Sequence, residues 1–437
     1  LEFYCFMPKL ISKNKPPRVV VAMSGGVDSS VAAYLLKKQG YDVIGIFFKL
    51  WVPSHYDPCD TKKQNLCCDD KALSIARQTA DKLKISFYVL RVDKFFKKEI
   101  VDNFVSEYEQ GRTPNPCVRC NRYIKFGYLW KKARQLKADF LATGHYIKKI
   151  PNNKLQITNK SQIRNNKKIR NKSLENCDFS LMRSKDEKKD QTYFLSSIDP
   201  KIIPHLLFPL GNMTKKEVRA IAKKAKMSVY NKKDSMGICF IPDGDTDSFL
   251  KQHSKKLQKP GEIMNKYGNV LGKHEGLLGY TIGQKIGDDK IAKNYLTQEA
   301  LCFLPSPSIR RGTSDEQSEK VRLGVPRLYV VSIDSKKNRL IIGENEDCFS
   351  DAVTIENFNV VNDRFWKLVK GGKTLYAQIR GGHKAEQCRI SLIRTEPNEA
   401  KSYKLKAKFL KPVRAITPGQ TMALYEKNVL VGGGIIK

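Results

Sequence analysis

Acidic side chains are in short supply in this chain. Its 437 residues carry 44 Asp and Glu against 80 Lys and Arg, a formal charge of +36. That balance exceeds what solubility needs and suits a polyanionic partner, nucleic acid foremost, although a Lys- and Asn-rich compositional bias accounts for part of it. Long apolar runs are also missing. The opening stretch from Leu1 to Ile11 is interrupted by Glu2, Pro8 and Lys9, and no other run approaches a transmembrane length, so membrane insertion is not expected. No secretory pattern precedes the eleven cysteines, which are scattered through the chain and read as reduced thiols in a cytoplasmic setting. Zinc-type spacing of Cys and His is lacking, and the adjacent Cys67 and Cys68, with Cys59, read as structural.

A chain of this length calls for two or three domains. From Arg18 to about Leu210, β-branched runs alternate with helical stretches, the signature of a Rossmann-like parallel sheet covered by helices. Strands are predicted at Val19–Met23, Asp42–Phe48, Phe87–Val92 and Asp139–Ala142. Helices are predicted at Ser29–Lys38, Asp70–Leu83, Lys94–Gln110 and Tyr123–Leu136. Residues 152–176 hold seven Asn and seven basic residues against one acidic, and read as an inserted loop. A small mixed domain spans 212–287. It opens on a capping box at Thr214 and Glu217, ahead of an apolar stripe at Val218, Ile221, Ala222 and Ala225. A second loop insertion follows over 288–324. From 325 to 437 the strings "RLYVVSID", "NRLIIGE", "TLYAQIRG", "YKLKAKFL" and "QTMALYEKNVLVGGGII" have the spacing of an antiparallel β-barrel. Residues 1–17 form a terminal extension.

The string "AMSGGVDSS" joins a valine strand to a helix, where unpaired helix N-terminal amides attract phosphate. Gly25 and Gly26 admit close backbone approach, and Ser24 and Ser29 add hydroxyls. Asp28 makes sense beside phosphate when Mg²⁺ bridges the two. No lysine follows in the Walker spacing, which disfavours cleavage at the γ-phosphate. Two thiols stand out. Cys120, in "GRTPNPCVRCNRYIKFG", is expected near a helix start between Arg119 and Arg122, since the two prolines keep the chain out of helix until about Val118; both dipole and charge there favour thiolate. Cys239, in "KKDSMGICFI", lies in a glycine-bounded turn. Two separated thiols beside a phosphate-binding turn point to sulfur transfer, one holding a persulfide and the other resolving it by disulfide exchange. Either one, taken alone, reads equally well as a buried inert residue.

The turn resembles the pyrophosphatase loop of the ATP-PPase superfamily. Together with "GIFFKLW", "ATGHY", "KDQTYFL", "HEGLLGYTIGQ" and "AITPGQTMALYEKNVLVGGGII", in that order, the chain resembles the tRNA-specific 2-thiouridylase family (MnmA or TrmU) from about residue 18 to its last residue. The resemblance implies ATP-dependent exchange of the 2-oxygen of a tRNA wobble uridine for sulfur, with the anticodon stem-loop as partner and a protein relay as sulfur donor. It implies Cys120 as nucleophile and Cys239 as persulfide carrier. It places Ala22, Met23, Ser24, Gly25, Gly26, Val27, Asp28 and Ser29 on the phosphates, Phe48 and Gly144 by the adenine, and Asn115, Pro116 and Cys117 at the target base. His145, Lys189, Asp190, Gln191, Arg380, Gly381 and Gln420 fall near tRNA. Two positions depart from the family. Cys117 stands where Asp is common, creating Cys117-x-x-Cys120, and with Cys239 three thiolates are available to ligate a 4Fe-4S cluster in place of a persulfide. Gly381 and Gly382 replace an aromatic-basic pair. The alternatives weighed are another ATP-PPase such as a lysidine synthetase or an amidotransferase, and a non-catalytic metal- or RNA-binding module.

Overall fold

The computed structural model describes residues 15–53, 70–152, 179–234, 237–241, 244–288, 290–296, 327–393 and 403–437. Cys59, Cys67 and Cys68, nearly all of 152–176 and most of 288–324 lie outside the described residues. Among the described residues no helix is long and apolar enough to cross a membrane.

Arg18–Ala22 (β1), Asp42–Lys49 (β2), Ser86–Arg91 (β3), Phe140–Ala142 (β4) and Leu206–Leu207 (β7) form a parallel sheet in the order β3-β2-β1-β4-β7. Alternation along the strands decides which layer each side chain enters. Val19 and Val21 bury against the helices Val27–Lys38 (α1) and Asp70–Leu83 (α2) through Ala33, Leu36, Ala72 and Ala76. Val20 and Leu141 face the opposite layer, where Leu129 and Ala133 of the helix Leu129–Gln135 (α6) pack. The helix Lys215–Lys224 carries the predicted capping box, with Glu217 N donating to Thr214 Oγ1 and Thr214 N to Glu217 Oε2. Its Val218 and Ala222 pack on Val27 and Val31 of α1, joining it to the first sheet's helical layer.

Gly261–Met264 (β8), Val270–His274 (β9), Lys285–Ile286 (β10), Leu328–Asp334 (β11) and Arg339–Gly343 (β12) make a second sheet, ordered β10-β11-β12-β8-β9. Here the structure differs from the sequence reading: "RLYVVSID" and "NRLIIGE", predicted with the last barrel, pair into this central sheet. Strand pattern specifies which face is buried but not which edge it meets, and β12 finds its partner in β8, running parallel to it.

Phe349–Val360 (β13), Leu375–Gln378 (β14), Glu386–Ile393 (β15), Tyr403–Arg414 (β16), Thr421–Glu426 (β17) and Val429–Ile436 (β18) form an antiparallel barrel, closed by β13 against β18. The barrel also reaches back into the first domain. The hairpin of Ile147–Pro151 (β5) and Phe179–Arg183 (β6) adds to β18 through Met182 opposite Val429. Ala423, Tyr425 and Leu430 share one buried cluster with Val20, Ile147, Leu181 and Tyr193, so barrel and parallel sheet have a common core. Tyr193 donates its hydroxyl to Thr421 O at 2.7 Å within that core.

The glycines of β18 permit this closeness. A β-carbon on Gly433 would stand 2.5 Å from Ser196 Cβ and 3.0 Å from Met422 O. Gly433→Ala is therefore expected to destabilise the protein by about 1–3 kcal/mol, the cost of overpacking a filled interface, read as a lower urea midpoint. An unchanged midpoint would show that the two units are not held by this contact.

Candidate active site

The carboxyl ends of β1, β2 and β4 open onto a cleft of about 220 Å³, at the position where strand order reverses about β1. Its walls include Ala22, Met23, Ser24, Asp28 and Ser29 from the first turn, Phe48 and Leu50 after β2, Thr143, Gly144 and His145 after β4, and Lys125 and Gln191. Gly25 takes φ +66° beside the start of α2, where any β-carbon would run into the Ala72 carbonyl. Gly144 lies against the head of α1: a β-carbon there would stand 2.8 Å from both Asp28 C and Ser29 N. The turn is braced internally by Ser24 N donating to Ser29 Oγ at 3.2 Å and by Ser30 Oγ donating to Gly26 O at 2.9 Å. The N-terminus of the twelve-residue α1 thus stands at the cleft, with Asp28 and Ser29 in its wall.

Asp28 is not a bare carboxylate. Lys215 Nζ lies 2.8 and 2.7 Å from its two oxygens, and Tyr146 donates its hydroxyl to Oδ1 at 2.8 Å. Lys215 also pairs with Asp234 at 2.8 Å; Asp234 in turn binds Lys189 at 2.7 Å and Arg219 at 2.9 Å. Lys232 donates to Gly25 O at 3.1 Å. Burial pushes the Asp234 carboxyl upward, but hydrogen bonds from Lys189 and Lys215 outweigh it and hold the group at about 2. Burial raises the Tyr146 phenol, and the neighbouring Asp28 charge raises it further. Sequence reasoning did not single out Lys215, Asp234, Tyr146, Lys125 or Thr143. Lys215 does stand next to the recognised capping box and Asp234 inside the Cys239 motif, but their convergence on the turn is a tertiary fact.

Asp28 is, among the described residues, the one carboxylate lining the cleft. One carboxylate plus phosphate oxygens is a sufficient donor set for Mg²⁺, so the chemistry fits provided Lys215 yields. The three-thiol cluster does not fit. Among the described residues no three His, Cys, Asp or Glu side chains are grouped to hold a metal. Cys117 is exposed, whereas Cys120 is buried and Cys239 half-buried in another setting.

That setting is a single apolar cluster containing Cys120, Ile124, Phe240 and Ile241, against which Ile238, Cys239, Phe48 and Leu50 pack. Phe48 and Leu50 also line the cleft, so its wall is continuous with the cluster that carries both thiols. The helix under Cys120 begins earlier than predicted. Pro116 opens the helix Pro116–Cys120 (α5), with Asn115 Oδ1 accepting from Val118 N at 3.2 Å. Cys117, not Cys120, therefore sits in the first turn. Arg119 turns to Glu99 at 3.0 Å and stacks over Tyr123, which Arg122 also faces, so the charges expected beside Cys120 are engaged elsewhere.

The loop ahead of α5 is held by both other units. Thr113 N donates to Pro418 O at 2.8 Å, Thr113 Oγ1 meets Thr281 Oγ1 at 3.2 Å, and Arg112 reaches Glu356 at 3.3 Å. Asn115 lines a larger cleft of about 520 Å³ that runs from Arg119, Arg122 and Tyr123 to Gly419 and Thr421 of the barrel; Gln420 lies between these last two, its main chain bonded to Thr417 and Ile436. Lys189 points to the Asp234 network, and Gln191 Oε1 accepts from Tyr146 N at 3.0 Å. Asp190, expected near tRNA, turns its side chain inward. Its side chain is 5 % exposed and accepts from Ser184 N, Arg183 and Thr192. Arg183 continues to Gln378, and Gln378 to Arg380 O, which ties the Arg380–Gly381 corner to the same stretch. Gly381 rests on Phe194, where its β-carbon would meet Cζ at 3.2 Å, so a larger residue there would press on the ring.

Residues 17–243 match the family model described as a tRNA methyl transferase HUP domain, 247–295 its PRC-barrel domain, and 350–436 an aminomethyltransferase beta-barrel domain. The chain is 40% identical over 420 residues to the tRNA-specific 2-thiouridylase MnmA 2 of Thermoanaerobacter sp. (strain X514), covering 96% of this chain and 98% of that one. It is 38% identical over 424 residues to the tRNA-specific 2-thiouridylase MnmA of Clostridium acetobutylicum, covering 96% and 99%. A solved 4-thiouridine synthetase–RNA complex with bound ATP aligns at 15% identity over 54% of this chain and 50% of that chain, with a TM-score of 0.30, too distant to carry an argument.

His145 is buried and shares a 2.8 Å hydrogen bond with Thr143; burial, then the Lys125 charge, hold its pKa well below the ordinary 6.5. A folded state that resists protonation loses stability as pH falls through 6.5 and below, where the unfolded chain takes up the proton. Ring chemical shifts of His145 should therefore stay those of neutral imidazole from pH 8 to about pH 6. Lys125→Gln should raise its pKa; a free-histidine titration in the wild type would refute this arrangement.

Proposed function

The chain belongs to the tRNA-specific 2-thiouridylase family, and from that premise we propose that it replaces the 2-oxygen of a tRNA wobble uridine with sulfur at the expense of ATP. The observation that carries this reading is the shared wall of Phe48 and Leu50, which joins a phosphate-type cleft to the cluster packing Cys120 and Cys239. Activation and sulfur transfer need neighbouring sites, and a wall common to the cleft and the thiol-bearing cluster supports that reading.

In the proposed reaction the uridine 2-oxygen bonds to the α-phosphorus of ATP while the bond to the bridging oxygen breaks, and pyrophosphate departs. The amides at the head of α1, the Ser24 and Ser29 hydroxyls and Lys215 take up the developing charge. Asp28 would hold Mg²⁺, which would supply further neutralising charge to the phosphate oxygens. His145, kept neutral, lines the cleft without adding a charge beside Lys125. The outer sulfur of a Cys239 persulfide then bonds to C2, and AMP leaves with the former 2-oxygen. The Cys120 thiolate attacks the inner sulfur, breaking the S–S bond; 2-thiouridine is released and a Cys120–Cys239 disulfide remains for an external thiol to reduce. A persulfide-bearing protein renews the sulfur. The exposed Cys117 and the N-cap Asn115, clamped by all three units, are suited to face the splayed base, and the positive charge of the chain gives the tRNA its salt-sensitive grip.

The test separates activation from sulfur transfer. Cys120→Ser and Cys239→Ser should each lower 2-thiouridine formation by ~100-fold or more, on the scale seen when a nucleophile is removed, while pyrophosphate release from ATP in the presence of tRNA persists. Nucleoside mass spectrometry and a pyrophosphate assay read the two steps. Thiolation that survives in Cys239→Ser would overturn the persulfide assignment.

A further inference from the structure

Lys215 and Lys232 contact the phosphate turn at Asp28 and Gly25 O, and Lys189 and Arg219 join Lys215 through Asp234. Asp28 lines the cleft; Asp234 does not, yet it holds three of these four cations within 2.9 Å. The side chain of Lys215 is 12 % exposed, and a cation so enclosed cannot be left unpaired without a large desolvation cost. Lys215 is paired with both Asp28 and Asp234, so an anion entering the turn must compete with these two carboxylates for it.

We infer that Asp234 is a built-in competitor of pyrophosphate: a positioning residue that holds Lys189, Lys215 and Arg219 before nucleotide binds, yields them to the phosphates, and reclaims them as the product departs. This rests on reading the cleft as an ATP-to-pyrophosphate site. The adenylating turn lacks a lysine of its own and borrows one from a helix 187 residues further along. A borrowed cation without a competing carboxylate would grip the leaving group and stall turnover. With Asp234 in place, binding exchanges one set of charged contacts for another of similar strength, which favours release over retention. Asp28 shares Lys215 but lines the cleft itself, where it would hold Mg²⁺ beside the phosphates, whereas Asp234 stands behind the cation. The exchange changes no covalent bond and needs no co-reactant.

Calorimetric titration of the full chain with inorganic pyrophosphate and Mg²⁺ tests the idea directly. Removing one negative charge beside a polyanion site in a partly shielded environment should tighten pyrophosphate by about tenfold in Asp234→Asn, with the gain shrinking at high salt. Asp234→Glu should restore wild-type affinity. In steady state Asp234→Asn should lower kcat and the KM for ATP together, with stronger inhibition by added pyrophosphate, as expected of slow product release. A folded Asp234→Asn that binds pyrophosphate equally or more weakly overturns the inference, since a merely structural carboxylate would give that result; if Asn does not fold, Asp234→Ser answers the same question. Failure of the underlying reading looks different: wild-type protein with tRNA would release no pyrophosphate from ATP at all.

Discussion

The backbone of Gly144 lies against the first turn of α1 closely enough that no side chain fits between them, and the cleft exists because of it. That approach brings the carboxyl end of β4 to the head of a helix starting from β1, closing the place where the parallel sheet changes direction. Gly25 makes the matching approach on the α2 side, so the turn's amides are fixed in space before any ligand arrives. The surrounding charges follow from this frame. With the amides immobile, the polar groups able to respond to an incoming polyanion are the side chains around them, and those are already paired with one another through Asp28 and Asp234.

The rest of the molecule is arranged to bring other parts to that frame. The loop Gly111–Asn115 is bonded to the central unit through Thr113 and Thr281 and to the barrel through Pro418 and Glu356. Because α5 starts where that loop ends, the position of Cys120 is set by three units together. Cys239 packs against the same cluster as Cys120, five residues after Asp234, which is tied to Lys215. The two thiols thus reach one apolar cluster by separate routes, each anchored by polar contacts away from it.

Local rules made much of this readable in the sequence. β1, α1, β2 and α2 came within two residues of their bounds because valine runs, apolar periodicity and a glycine turn coincide there. The capping box at Thr214 was equally plain. What sequence could not supply was partnership across distance. Nothing in "NRLIIGE" says that it will lie parallel to β8, and nothing at Lys215 says that its ammonium meets Asp28. The inward turn of Asp190 belongs to the same class, since its partners Arg183 and Thr192 flank it without declaring which way it faces. Pro116 misled in the opposite way: proline halts a helix from within but begins one at its first position, and Asn115 ahead of it was the signal that decides between the two.

The shared core of the hairpin β5–β6 and strand β18 has a consequence for how the chain matures on the ribosome. Met182 waits for Val429, and Leu181 for Leu430, so the layer under the parallel sheet stays unfinished until nearly 250 further residues have been made. Ala22 and Phe48 of the cleft wall pack against that same cluster. Completion of that layer therefore waits on β18, and a nascent chain released before it would leave the apolar face of the hairpin uncovered.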